Sequence, residues 1–216
     1  MPKLSGLVHA DEHLLVLEKP SGLLSVPGRG ADKQDCLAAR VQGEFPDALV
    51  VHRLDMATSG LWLMARGAEM QRRLSRAFAE RQVGKRYVAV AAGRLEMPVN
   101  GVEWALIDLP LAADWPNRPR RIVDREHGKP SQTRWRVLAH DAAADTTRVE
   151  LEPLTGRSHQ LRVHLQALGH PILGDTLYAP PEVQAQAARL LLHATHLQLQ
   201  HPASGEMISF SSAPPF

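Results

Sequence analysis

The 216-residue chain has one cysteine, Cys36, so no internal disulfide can form, and a lone thiol fits a reducing compartment. It has no apolar run near the roughly 20 residues needed to cross a bilayer as a helix. The N-terminal Met1-Pro2-Lys3-Leu4-Ser5-Gly6 lacks the apolar core of a secretory leader. A cytoplasmic protein without a membrane partner is expected. Formal net charge is only +2, too small to identify a partner. Cofactor motifs are missing as well: there is no P-loop, and Gly28-Arg29-Gly30 lacks the third glycine of a dinucleotide loop. His52-Arg53-Leu54-Asp55 has Leu and Asp transposed relative to a kinase catalytic loop, and no DFG occurs anywhere. There is no GxSxG elbow and no HExxH. His159 and His164, five apart on a predicted helix, point about 140° away from each other. His193 and His196, three apart on a predicted strand, face opposite sides. Metal, nucleotide-cofactor, kinase and serine-hydrolase chemistry are therefore not expected.

A chain of this length holds one or two domains, and a domain of this size buries roughly 70% of the surface its unfolded form exposes, enough without a disulfide or metal. No repeat, low-complexity tract or linker interrupts it, so a single domain over residues 1–216 is predicted. Charge is unevenly spread. Arg66, Arg72, Arg73, Arg76, Arg81, Lys85 and Arg86 face only Glu69 and Glu80 in the same stretch, and Arg118, Arg120, Arg121 and Arg125 form a second cluster. Two readings stand for both: a solvated charged surface, or one that tracks phosphates, for which the arginine fork is suited.

Apolar patterning predicts strands at His13–Glu18, Ser59–Arg66, Lys85–Gly93, Thr147–Glu152, Leu191–Gln200 and Met207–Ser211. Met70, Leu74, Ala77 and Phe78 fall at helical spacing, so Gly67–Gln82 is predicted as a helix with its arginines outward. Asp35–Val41 reads as a short helix. Arg121–Arg125 and Ser131–His140 are predicted to pair as a hairpin across His127-Gly128-Lys129-Pro130. Ser158 is expected to cap the helix His159–Leu168, whose Leu161, Leu165 and Leu168 share a face. Strands outnumber helices and do not alternate with them, which predicts an α+β fold with a largely antiparallel sheet.

The chemistry-bearing residues concentrate in the polar stretch from His52 to Ser59, between the apolar runs Ala48–Val51 and Leu61–Ala65. A loop held between strands is a common seat for chemistry. By residue type, Asp55 is a nucleophile or base, or else caps a turn. Tyr87 offers a stacking face and a hydroxyl, or else fills the sheet core. Arg157 keeps a carboxylate ionised, or else makes a structural ion pair.

Five ordered blocks break that tie. His52-Arg53-Leu54-Asp55, followed by Thr58-Ser59-Gly60, resembles the signature of the RluA-type pseudouridine synthases. Lys19-Pro20-Ser21-Gly22-Leu23 resembles the family's N-terminal block, and Lys85, Tyr87, Ala89 and Gly93 resemble its KxYxAxVxG strand, with Ala91 in place of a larger aliphatic. Thr155-Gly156-Arg157, His159–Arg162, His164 and Gly169–Asp175 match a fourth block, and Leu192-His193-Ala194 a last one. The resemblance implies a pseudouridine synthase catalytic fold: a largely antiparallel mixed sheet flanked by helices, with a central active-site cleft. Many relatives carry an S4 RNA-binding domain ahead of this one; none is expected here, as in the short member of the family.

By the same resemblance, Asp55 is the carboxylate that attacks the target nucleotide, Tyr87 stacks on the base and assists proton removal, and Arg157 pairs with Asp55. Arg53 is the side chain inserted where the flipped base had been. His52, Leu192 and Arg118 are expected to contact RNA, Leu192 as an apolar wall. A base must leave its stack before it can react, and unpaired loops make that cheaper. Isomerisation needs no cofactor or metal, so none is expected. The implied partners are RNA, namely a tRNA anticodon stem-loop and a 23S rRNA hairpin, acted on by a monomer. Two alternatives stay open: the same chemistry on one of these targets, and a non-catalytic RNA-binding or ribosome-maturation protein.

Overall fold

Leu14, Leu15, Val16 and Leu17 are fully buried on both faces of one strand, as a continuous apolar run at the centre of a sheet requires. This strand belongs to a computed structural model that describes residues 5–98 and 103–216. The first four residues of the segment read for a leader lie outside the described residues. In chain order the elements are β1 (Leu7–Ala10), β2 (Leu14–Lys19), α1 (Leu37–Gln42), β3 (Ala48–Val50), β4 (Ser59–Arg66), α2 (Gly67–Ala79), β5 (Gly84–Ala92), β6 (Ala105–Asp108), β7 (Leu111–Ala113) and β8 (Arg121–Val123). They continue with β9 (Gln132–Asp141), β10 (Thr146–Pro153), α3 (Gln160–Ala167), α4 (Pro181–Gln184), β11 (Leu192–Gln200) and β12 (Met207–Ser211). The α+β class is as expected. Contacts divide the chain into two compact units, one ending at Lys85 and resuming over His193–Pro215, the other comprising Arg86–Leu192 and Phe216.

In the first unit β2 pairs antiparallel with β1 and with β4, β3 is antiparallel to β4, and β12 to β11. β11 runs parallel to the start of β4, with His193 opposite Ser59 and Ala194 opposite Gly60. The helix predicted over Gly67–Gln82 is observed over Gly67–Ala79; Arg81, with φ 62, turns the chain out of it. Its stripe lies as expected. Leu74 joins Leu14, Val16, Leu61, Leu63, Leu197 and Leu199 in a core that Met70, Ala77 and Phe78 pack against. Arg72, Arg73 and Arg76 point to solvent. Each such fully buried leucine contributes about 1.5–3 kcal/mol, so this core holds the strands on which the His52–Ser59 loop hangs.

In the second unit β5, β10, β9 and β6 pair antiparallel in that order, and β7 and β8 form a two-stranded sheet of their own. The predicted hairpin between Arg121–Arg125 and Ser131–His140 is not observed. β8 pairs with β7, Leu111 opposite Val123, while Leu111 also exchanges hydrogen bonds of 2.9 Å each way with Lys129. Pro130 then has no N–H with which to extend a ladder, and β9 pairs with β10 and β6 instead. Ser158 is not the cap of α3. The helix starts one residue later than predicted, behind His159 in the left-handed region at φ 57. Leu161 and Leu165 are buried, whereas Leu168 is 37% exposed beyond the helix end. Inside α3, Arg162 makes a two-pronged ion pair with the fully buried Asp175 at 2.7 and 2.6 Å and lies over the Tyr178 ring.

Candidate active site

The loop that carries Asp55 has its backbone held almost residue by residue. The Trp62 indole donates to the His52 carbonyl at 3.0 Å. Ser25 Oγ donates to the Leu54 carbonyl at 2.8 Å and accepts from the Leu54 amide at 3.1 Å. The Asp55 carbonyl accepts from Thr58 N–H at 3.1 Å. Lys19 Nζ at 3.0 Å and Gly22 N–H at 2.9 Å both donate to Met56 O, and Ser21 Oγ donates to Ala57 O at 2.7 Å. A site held this way presents its side chain in one geometry rather than several.

Lys19 is the residue whose part was missed. Its side chain is fully buried, and Nζ also donates to Pro20 O at 2.9 Å and Leu23 O at 2.7 Å. A buried ammonium is costly unless its donors are met, and here carbonyl oxygens meet them. Lys19-Pro20-Ser21-Gly22 reads locally as a turn; its role as the seat of a loop 36 residues away is visible only once β2 lies beside β4. Ser25 was missed for the same reason.

Asp55 itself is half-buried, and Arg53 is exposed. His52 ties the loop to its unit. Its ring is turned into the unit, stacked on Phe78 at 4.4 Å, and Nε2 accepts the Leu63 amide at 3.0 Å. Burial, and then the nearby Lys85 cation, push its pKa down to about 3, so the ring is neutral. Burial also lowers the pKa of Lys85, whose Nζ lies over the Phe78 ring. The geometry makes His52 an anchor of the loop onto β4.

Where the loop enters β4, Ser59 Oγ is 2.8 Å from His193 Nδ1, and His193 Nε2 is 2.8 Å from Ser212 Oγ, which donates to Glu18 at 2.6 Å. With the Ser212 proton on Glu18, Nε2 carries the imidazole proton and Ser59 donates to Nδ1. The Ser59 hydroxyl is thus committed to the fold. Gly60, with φ +108, lies so close to β11 that a Cβ would sit 2.3 Å from the Ala194 carbonyl oxygen.

In the second unit Tyr87 is buried on β5 opposite Leu151 of β10, and the Thr155–Ser158 loop follows that same end of β10. Tyr87 and Arg157 are therefore carried at one end of the β5–β10 pair. Gln160, at the start of α3, organises the loop. Its Oε1 accepts from Arg157 N–H at 3.0 Å and Thr155 Oγ at 2.7 Å, while Nε2 donates to Gln132 O at 2.9 Å. No side chain caps α3 in place of Ser158; Gln160 ties down the loop that leads into the helix instead. The Arg157 side chain is exposed, with Nε donating to Pro130 O at 3.3 Å. Leu192 is buried at the start of β11, beside Leu191, whose carbonyl accepts from Val90 of β5. Arg118 lies on the exposed loop between β7 and β8. Among the described residues no group of three His, Cys, Asp or Glu side chains could hold a metal ion, and no helix is long and apolar enough to cross a membrane.

Comparison with known proteins places this arrangement. A family profile described as RNA pseudouridylate synthase matches residues 13–167. The chain is 51% identical over 210 residues to the dual-specificity RNA pseudouridine synthase RluA of Escherichia coli K12, covering 97% of this chain and 93% of the relative. It is 50% identical to the Yersinia pestis protein of the same name, covering 94% and 96%. Among solved structures, human RNA pseudouridylate synthase domain containing 1 superimposes with a TM-score of 0.78 at 29% identity, over 100% of this chain and 86% of that one.

Proposed function

The chain belongs to the RluA family of RNA pseudouridylate synthases, and from that premise we propose which residues perform its reaction and on which RNAs. Its activity is RNA pseudouridine synthesis: the bond from ribose C1′ to uracil N1 breaks, one from C1′ to C5 forms, and the C5 proton leaves as N1 gains one. No atoms are lost, and the side chains proposed below suffice as acid, base and nucleophile.

Asp55 is the carboxylate that acts on the target nucleotide. The observation that carries this assignment is the backbone of residues 52–58, held by Lys19, Ser21, Gly22, Ser25 and Trp62 so that one half-buried carboxylate is presented in a fixed place. Tyr87 stacks on the uracil and assists removal of its C5 proton. Arg157 is the arginine that the family resemblance assigns as the partner of Asp55. The exposed Arg53 fills the gap left by the flipped base, offsetting part of an unstacking cost of a few kcal/mol. Leu192 supplies an apolar wall, and Arg118 contacts RNA.

We infer that both compact units belong to one catalytic domain, because the family match over residues 13–167 runs through both. The targets proposed are those implied by the relatives' printed dual specificity and the resemblance: uridines in a tRNA anticodon stem-loop and a 23S rRNA hairpin, modified by a monomer in the cytoplasm. The test is pseudouridine mapping at nucleotide resolution on unmodified tRNA and 23S transcripts. Conversion in both supports dual specificity; conversion in one alone refutes it, and conversion in neither refutes the targets.

A further inference from the structure

Trp115 is 68% exposed, the most exposed large apolar side chain among the described residues, and the Arg118 guanidinium lies over its ring 3.5 Å from the centroid. The loop that carries them is tightly built. Asp114 N–H donates to Arg120 O at 3.1 Å, and Arg120 N–H to Asn117 O at 3.0 Å. The Asn117 side chain donates to the Asp114 carboxylate at 3.0 and 3.1 Å, and the Tyr178 hydroxyl accepts the Arg121 amide at 2.8 Å. Pro116 and Pro119 stiffen it further. Two acids of the region are engaged in its turns, Asp114 with Asn117, and Asp124 with the amides of Glu126 and His127 at 3.0 and 2.9 Å, while Glu126 stays exposed. Arg118 remains exposed against the indole, and Arg125 is exposed beyond the far end of β8.

An aromatic face held out by a rigid loop among arginines matches one ligand chemistry well, a nucleobase with its phosphates. Bases stack on aromatic rings whatever their identity, and arginine adds both stacking and charge. The cation seated on the indole, with Asp114 turned onto Asn117, favours a polyanionic partner. We propose that Trp115 and Arg118 form a stacking platform for an unpaired base of the substrate RNA other than the uridine that reacts. This rests on the reading of the protein as an RNA pseudouridine synthase, and it names a contact that the reaction itself does not require.

The experiment measures Kd for a tRNA anticodon stem-loop RNA, with Trp115→Ala, Trp115→Phe and Arg118→Gln; both positions are exposed, and unchanged thermal midpoints would verify folding. Trp115→Ala is expected to weaken binding roughly 5- to 100-fold, and Trp115→Phe to restore most of it. Arg118→Gln is expected to flatten the salt dependence of Kd. Abasic nucleotides placed one at a time in the loop identify the stacked base: at that position the substitution weakens the parent but not Trp115→Ala. A Kd for Trp115→Ala within about twofold of the parent, or abasic effects identical in both proteins, overturns the platform. Pseudouridine formation by the parent is read separately. Its absence overturns the functional reading, while the Kd pair still decides the platform.

Discussion

Lowering the pH from 8 to 5 should cost the protein about 2 kcal/mol of stability through His52 alone. In the folded chain the imidazole is packed on Phe78, accepts the Leu63 amide and faces Lys85, and burial followed by that cation brings its pKa down to about 3. In the unfolded chain it titrates near the ordinary 6.5. Below 6.5 the unfolded state therefore takes up a proton that the folded state refuses until about pH 3. The contribution is fully present above the unfolded value and falls away as pH drops toward 3, by about 1.4 kcal/mol per unit. pH 5 lies one and a half units into that window, ahead of most carboxylates. Urea unfolding at pH 8, 7, 6 and 5 for the parent and for His52→Gln isolates the effect, because every other titrating group is common to both. The glutamine keeps an acceptor for Leu63 and does not titrate. The parent should lose about 2 kcal/mol more than the variant between pH 8 and 5. Parallel curves would show that His52 titrates normally and that its inward placement is wrong.

Gly60→Ala combines a backbone conformation unfavourable to side chains with a clash on the Ala194 carbonyl, while Gly67, with φ +75, has open space where its Cβ would go. Urea midpoints should therefore show a loss of about 1–2 kcal/mol for Gly67→Ala and at least about 2 kcal/mol more for Gly60→Ala; equal losses would deny the close approach. Ser25→Ala strips the Leu54 amide and carbonyl of a partner, at about 1–3 kcal/mol, and by loosening the Asp55 loop should lower single-turnover rate about 10- to 100-fold. An unimpaired rate in Ser25→Ala would remove the loop's rigidity from the account. Arg157→Ala should lower the single-turnover rate at least about 10-fold if Arg157 serves the reaction as proposed; an unchanged rate would remove it from the catalytic set.

What was legible in advance divides along physical lines. Long apolar runs carried their own signal: β4 begins and ends as predicted, and the α2 stripe of Met70, Leu74, Ala77 and Phe78 packs inward. Strands of only three or four residues, β1, β6 and β7, are too short for a periodic pattern to register and were not anticipated. Pairing was the weaker inference. A turn at His127–Pro130 is compatible with any antiparallel partner, and only the burial of Leu111 with Val163 and Tyr178 selects β7 over β9 for β8. The Asp55 loop stood out because its polar residues interrupt two apolar runs. Its supports did not, because Lys19, Ser21 and Ser25 meet it through side-chain bonds to backbone, which follow no periodicity. His52 is similar: its place in the motif gave no sign that the fold uses it to tie the loop to β4.

The central claim is that the Asp55 carboxylate carries out the reaction. It is tested most directly by single-turnover pseudouridine formation with Asp55→Asn and Asp55→Ala beside the parent, on an RNA the parent converts, with RNA affinity measured in parallel. The account predicts no detectable pseudouridine from either variant while both still bind the RNA. Conversion by Asp55→Ala at a rate comparable to the parent would contradict it.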